Sequence, residues 1–231
     1  MRSEELKAVF DQQATGYNKT QERMAPVLNA LYFLLGSMFS RLPDDARVLC
    51  VGAGTGAEIS YLAQRHPKWC FTAVEPSGAM LGVCRQRAEK EGFAARCGFH
   101  EGYLDSLPGQ AAYDAATCFL VSQFILEQGT RVKFFSAIAN RLKSGAILVS
   151  SDLASGSNPD GYEPLLVAWM RMMATAEVSP EAVERMRAAY NKDVAILSAG
   201  AVASIIESGG FKNAMQFFQA ELLHAWCSER A

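Results

Sequence analysis

Three glycines at alternate positions, Gly52, Gly54 and Gly56, follow the apolar run Val48-Leu49-Cys50-Val51 and precede Ala57-Glu58. Without Cβ atoms such a run bends sharply and lets its backbone press against a ligand. A strand entering and a helix leaving would aim the helix's unpaired N–H groups into the same loop, a setting for a nucleotide-like cofactor. Any tight strand-to-helix turn also favours glycine, so the loop needs context. Glu75 supplies it. It ends a second apolar run, Trp69 to Val74, nineteen residues after Gly56. In a βαβ unit that spacing sets a carboxylate at the end of the neighbouring strand, in reach of both hydroxyls of a ribose. A glutamate that only caps a helix starting near Ser77 does not account for the spacing.

Other residues of chemical interest are few. Ser122 and Gln123 follow the run Tyr113–Phe119, and Asp152 ends Ala146–Ser151. Asp152 is the candidate general base and Gln123 a candidate for orienting a polar substrate atom. The competing readings are an aspartate that orders the next loop and a glutamine that caps a helix, so the catalytic assignment stays open. His66, His100 and His224 are scattered, as are the six cysteines; they make no metal-ligand pattern, and no metal is expected. No nucleophile–base motif is present.

The elements that must position these residues alternate from Arg47 to Asp152. Strands are expected near 47–51, 69–74, 95–100, 113–119 and 146–151, with helices near 57–65, 77–91 and 130–142. This alternation marks a doubly wound parallel sheet, whose ligands lie outside the carboxyl ends of the strands. The single domain divides into an N-terminal helical lid (1–43), a cofactor-binding core (44–157), a helical insertion (158–194) and a C-terminal helix and hairpin (195–231). In the insertion, Tyr162, Leu165, Leu166, Trp169, Met172 and Met173 recur at helical spacing. That apolar face either packs on the core or lids a substrate pocket. The apolar helix after Pro26 is expected to pack on the sheet, with a subunit contact in a homodimer as the other reading.

At 231 residues, half of them apolar, with a formal net charge of −2, the chain can bury a substantial core. It has no basic run to serve as a nucleic-acid footprint. No apolar stretch is long enough to span a bilayer. Cys50, Cys70, Cys97 and Cys118 fall in expected strands and read as small buried thiols, which points to a reducing, cytoplasmic location.

The glycine loop satisfies both the dinucleotide pattern G-x-G-x-x-G/A, through Gly52, Gly54 and Ala57, and the pattern G-x-G-x-G. The run Glu75-Pro76-Ser77-Gly78-Ala79-Met80-Leu81 separates them: it resembles the class I S-adenosyl-L-methionine (SAM)-dependent methyltransferases, whose second strand ends in an acidic residue followed shortly by Met-Leu. Further similarity lies in Phe99–Pro108, Tyr113–Leu120, Arg141–Val149, Gly209-Gly210-Phe211 and the opening Phe10–Asn18. The resemblance implies a Rossmann-like, mostly parallel seven-stranded α/β sheet with an antiparallel C-terminal strand and helical additions. It implies SAM as cofactor, held by Gly52, Ala53, Gly54, Thr55 and Gly56. Glu75 would hold the ribose, Pro76 and Met80 would pack on the adenine, and Gly102, Tyr103, Leu104 and Phe119 would lie at the strand exits. Tyr17 would close over the methionine end, and Arg23 would either reach the cofactor carboxylate or stay solvated.

The chain departs from the pattern in four places. Cys50 replaces the usual acidic residue of strand one, so the glycine loop must find support elsewhere. Tyr103 stands where an aspartate often accepts from the adenine amino group. Asn18 replaces an aspartate, and Ser144-Gly145-Ala146 replaces Pro-Gly-Gly. The expected activity is methyl transfer to a small molecule. A nicotinamide-dependent oxidoreductase and a non-catalytic SAM-binding module are the alternatives.

Overall fold

The alternation of apolar and amphipathic runs folds as a twisted sheet between two helical layers. The computed structural model describes residues 3–109, 112–156, 161–174 and 179–231. Five parallel strands form the centre: β1 (Arg47–Val51), β2 (Cys70–Glu75), β3 (Cys97–Glu101), β4 (Tyr113–Phe119) and β5 (Leu142–Ser155). With β6 (Leu197–Ser198), β7 (Phe211–Ala220) and β8 (Leu223–Arg230), the order is β3-β2-β1-β4-β5-β8-β7. β8 runs antiparallel to β5, and the two-residue β6 pairs with the end of β5. The chain builds outward from β1 in one direction, then returns to its other side with β4. The crevice beyond the carboxyl ends of β1 and β4 is therefore the expected ligand site.

β1 is apolar on both faces because helices cover both. Val48 and Cys50 join one cluster with α2 (Ala25–Met38), α3 (Ala57–Arg65) and α4 (Gly78–Lys90), through Leu35, Ile59, Leu62 and Leu81. Leu49 and Val51 join the opposite cluster with α5 (Gln128–Ala139) and α8 (Ala199–Ser208), through Phe135, Ile138, Val202 and Ile206. The N-terminal helix α1 (Ser3–Gln21) is anchored by Asp11, which accepts from Ser77 Oγ at 2.6 Å and Ala79 N at 3.4 Å. Ser77 Oγ in turn accepts from Met80 N at 3.1 Å, so α1 completes the cap of α4.

The helices α6 (Tyr162–Met173) and α7 (Pro180–Asp193) pack together with Met24, Leu153, Leu222 and Leu223. Trp169 Nε1 donates to Tyr190 Oη at 2.8 Å, and Arg23 donates to the Ala174 carbonyl just past α6. Part of the expected insertion lies outside the described residues.

Two local expectations change. β5 begins at Leu142, four residues early; a register irregularity between its pairing with Tyr113 and with Ala115 absorbs the extra length. Cys70, at the outer end of β2, is exposed, whereas Cys50, Cys97 and Cys118 are buried.

Candidate functional site

A cavity of about 920 Å³ opens at the carboxyl ends of β1, β2 and β4, under α1 and α2. That lies toward the top of the range of roughly 300–1,000 Å³ for small-ligand sites, room for a nucleotide-sized ligand with a small second molecule. All the residues expected at a cofactor line it except Gly56.

The three glycines do different work. A Cβ on Gly52 would come within 2.3 Å of Val121 Cγ2, and one on Gly56 within 2.4 Å of Cys84 Sγ. Those two positions are glycine because protein side chains fill the space. Gly54 has φ +52° and nothing within 4 Å of a built Cβ, yet it lines the cavity. Its bare face is the part of the turn left open for a ligand. Gly54→Ala is therefore expected to cost about 1–2 kcal/mol of stability for the left-handed backbone, with a fold that survives. Its larger loss should be in ligand affinity. Gly52→Ala should instead lower the unfolding midpoint far more, and comparing the two by thermal denaturation and calorimetry checks the distinction.

With Cys50 in place of an acid, the loop hangs on other groups. The Val74 carbonyl accepts from Gly52 N at 2.8 Å and from Ala53 N at 3.1 Å. Glu75 Oε2 accepts from Gly54 N at 2.9 Å, its Oε1 from Ser77 N at 2.9 Å. Asn18 Oδ1 accepts from Thr55 Oγ1 at 2.8 Å, tying α1 to the turn. Glu75 thus orders the glycine loop and also lines the cavity, with acceptor capacity on both oxygens beyond these two bonds. Burial pushes its pKa up, and the N–H groups of Ser77 and Gly54 oppose that rise.

On one side of Glu75, Pro76, the buried Met80, Gly102, Leu104 and the exposed Tyr103 form a slot suited to a flat ring. On the other side lie Tyr17, Tyr32, Phe119 and Phe124. Tyr32 and Phe119 have ring centroids 6.1 Å apart, and Phe10 packs edge-on against both Tyr17 at 6.5 Å and Phe124 at 5.8 Å. Burial pushes the Tyr17 and Tyr32 phenols above their ordinary value, so both stay protonated at neutral pH.

The two catalytic candidates stand elsewhere. Asp152 is fully buried and faces away from the cavity. It pairs with Arg131 Nη2 at 3.0 Å and accepts from Ser122 Oγ at 2.7 Å and Gln123 N at 2.8 Å. Gln123 Oε1 accepts from Leu153 N at 2.6 Å. Neither lines the cavity, because strand alternation sends Asp152 to the α5 face; both act by fastening the Val121–Phe124 segment that forms one wall. Arg23 is likewise absent from the cavity wall, being engaged with Ala174. None of the described residues of α6 lines it either.

The sequence reading passed over Glu58, Tyr32 and Ser151, which all line the cavity. For Glu58 a signal existed: it lies one helical turn before the fully buried Leu62, on the inward face of α3. Among the described residues no cluster could hold a metal ion, and no helix is long and apolar enough to cross a membrane.

Comparison with known proteins agrees with this geometry. A family model described as a methyltransferase domain matches residues 48–145. An uncharacterized protein of Synechococcus sp. is 31% identical over 105 residues, covering 44% of this chain and 24% of that protein. An O-methyltransferase family protein from Burkholderia thailandensis superposes with a TM-score of 0.72 at 16% identity, covering 100% of this chain and 63% of that one. An O-methyltransferase family 2 protein from Planctomyces limnophilus, solved in complex with apigenin, gives 0.64 at 15% identity, covering 100% and 62%. At these identities the likeness establishes the fold. The chain spans about a quarter of the curated relative's length and about three fifths of the solved structures'.

Proposed function

We infer that this chain, whose residues 48–145 match a methyltransferase domain model, is a class I SAM-dependent methyltransferase that transfers a methyl group from SAM to a small-molecule acceptor. The observation that carries the reading is the meeting of Glu75 and Gly54 on one cavity wall: a carboxylate with free lone pairs beside a turn with an open face. The residues fit the cofactor. Glu75 would take the ribose hydroxyls. Pro76, Met80, Tyr103 and Leu104 would enclose the adenine, and Gly52 to Thr55 with Tyr17 would hold the methionine end.

SAM brings a methyl group already activated on a sulfonium, so the protein needs chiefly to align an acceptor with it and exclude water. Tyr17, Tyr32, Phe119 and Phe124 suit that task by enclosing an apolar, ring-bearing acceptor. The apigenin bound to the Planctomyces protein supports a small-molecule acceptor here. We place the protein in the cytoplasm, a reading supported by six free cysteines. No observation favours the nicotinamide or non-catalytic alternatives.

Titration calorimetry with S-adenosylhomocysteine (SAH), SAM and NAD(P) tests the assignment. SAH and SAM are expected to bind at one site per chain, and NAD(P) not to bind. Binding of NAD(P) without SAM or SAH would reject the reading.

A further inference from the structure

Two polar groups on the cavity wall are not among the residues proposed to hold the cofactor. Glu58, in the first turn of α3, is buried, lines the cavity and takes a hydrogen bond from its own backbone N–H. Ser151, near the end of β5, lines the cavity at 1% exposure, and its Oγ has no hydrogen-bond partner among the described residues. A buried hydroxyl left so is costly unless a ligand completes it.

Register places the two on one side of the sheet. Ser151 pairs with Phe119 and Ala225, and Cys50 pairs with Thr117, two residues before Phe119. All these side chains project to the face that α2 and α3 cover, where Tyr32 packs on Phe119. The cations of the cavity wall do not serve this end: Lys7 is paired with Asp11 at 3.1 Å, and Lys133 belongs to α5 on the opposite layer. An anionic acceptor at Glu58 would be repelled by its carboxylate, whereas a neutral hydroxyl can donate to it.

We propose that Glu58 receives the proton of an aromatic hydroxyl acceptor that Ser151 Oγ orients, an assignment that rests on the methyltransferase reading above. The acceptor proton passes to a Glu58 carboxylate oxygen. The electron pair of the O–H bond stays on the acceptor oxygen and forms the new bond to the methyl carbon. The pair of the breaking carbon–sulfur bond remains on sulfur, which becomes neutral.

Burial pushes Glu58 up to about 7, with its own N–H and Arg87 opposing and Glu75 adding to the rise. A base titrating there is matched to neutral pH. The titratable and charged groups around it are Tyr17 of α1, Tyr32 of α2, Cys50 of β1, Glu75 of β2, Cys97 of β3, and Cys84 and Arg87 of α4, with Cys118 of β4 on the opposite face of the sheet. Burial drives the phenols and thiols above their ordinary values, so none of them ionises near neutrality.

The test pairs methyl transfer from radiolabelled SAM to phenol, catechol, benzylamine and benzoate with SAH calorimetry and pH-dependent denaturation, for the wild type, Glu58→Gln and Ser151→Ala. Transfer to phenol or catechol and not to benzoate is expected, with a rate that rises as pH passes about 7. E58Q should lower kcat by about 100-fold and erase that rise, with SAH affinity within about twofold of wild type. Because the folded-state pKa of Glu58 is raised, its stability contribution is full below 4.5 and lost as pH climbs through about 7. E58Q should remove that fall in the unfolding midpoint. S151A should raise KM for the phenol by about tenfold with little change in kcat, and with the wild-type pH profile it decides the matter should E58Q not fold.

Retention of the rate and its pH dependence in E58Q overturns the proposal. So does a large loss of SAH affinity, which would give the carboxylate to the cofactor's ammonium group. Transfer to none of the phenols while SAH binds overturns the acceptor assignment alone. Failure of SAH to bind the wild type overturns the function on which it rests.

Discussion

Replacing Glu75 with alanine is expected to weaken SAH binding by about 100-fold or more. Two hydrogen bonds from ribose hydroxyls to a charged acceptor disappear, each worth about 1.5–3 kcal/mol. The loss does not stop at the ligand. Gly54 N and Ser77 N both donate to this carboxylate, so the substitution also strips the glycine turn and the start of α4 of their acceptor. Glu75→Gln should recover only part of the affinity, because its amide can offer one oxygen to two backbone N–H groups. Calorimetry with SAH checks both variants, and an E75A protein that binds SAH as wild type does would remove the basis of the cofactor assignment. Since burial raises the Glu75 pKa, affinity should begin to fall, as the solution is acidified, at a higher pH than an ordinary glutamate would impose.

Asp152→Ala is expected to lower stability by about 3–5 kcal/mol, because it strands the Arg131 guanidinium in an interior with no solvent access. For a chain of this size that corresponds to a fall in Tm of roughly 10 °C. Arg131 Nε also donates to Ser122 Oγ at 2.8 Å, and its Nη1 to the Ala195 carbonyl at 3.2 Å. One network therefore joins α5, the exit of β4, β5 and the segment before β6. The double replacement Arg131→Met, Asp152→Leu should be milder than Asp152→Ala, since it leaves no buried charge unpaired. Thermal and urea denaturation measure both. A kcat that collapses in Asp152→Asn while stability and SAH affinity hold would contradict the positional role given to Asp152 here and restore it as a base.

The chain's local chemistry was sufficient to read the parallel core and to single out residues that, Gly56 apart, line one cavity. Strand-sized apolar runs, a glycine turn and a carboxylate at the βαβ distance are features of neighbouring residues, and their consequences follow from backbone geometry alone. The same local signals did not distinguish the glycines. Gly52 and Gly56 are required by Val121 and Cys84, residues distant in sequence, while only Gly54 leaves a face open. Nor did they settle Asp152 and Ser151. The two are adjacent on β5, and strand alternation guarantees that they point to opposite faces, but which face holds the cavity depends on where α1, α2 and α5 pack. Glu58 shows the same limit. Its spacing from Leu62 sets it on the inward face of α3, but a glutamate in a first helical turn ordinarily faces water, and the packing of α1 and α2 beside Tyr17 and Tyr32 is what makes it a buried acid.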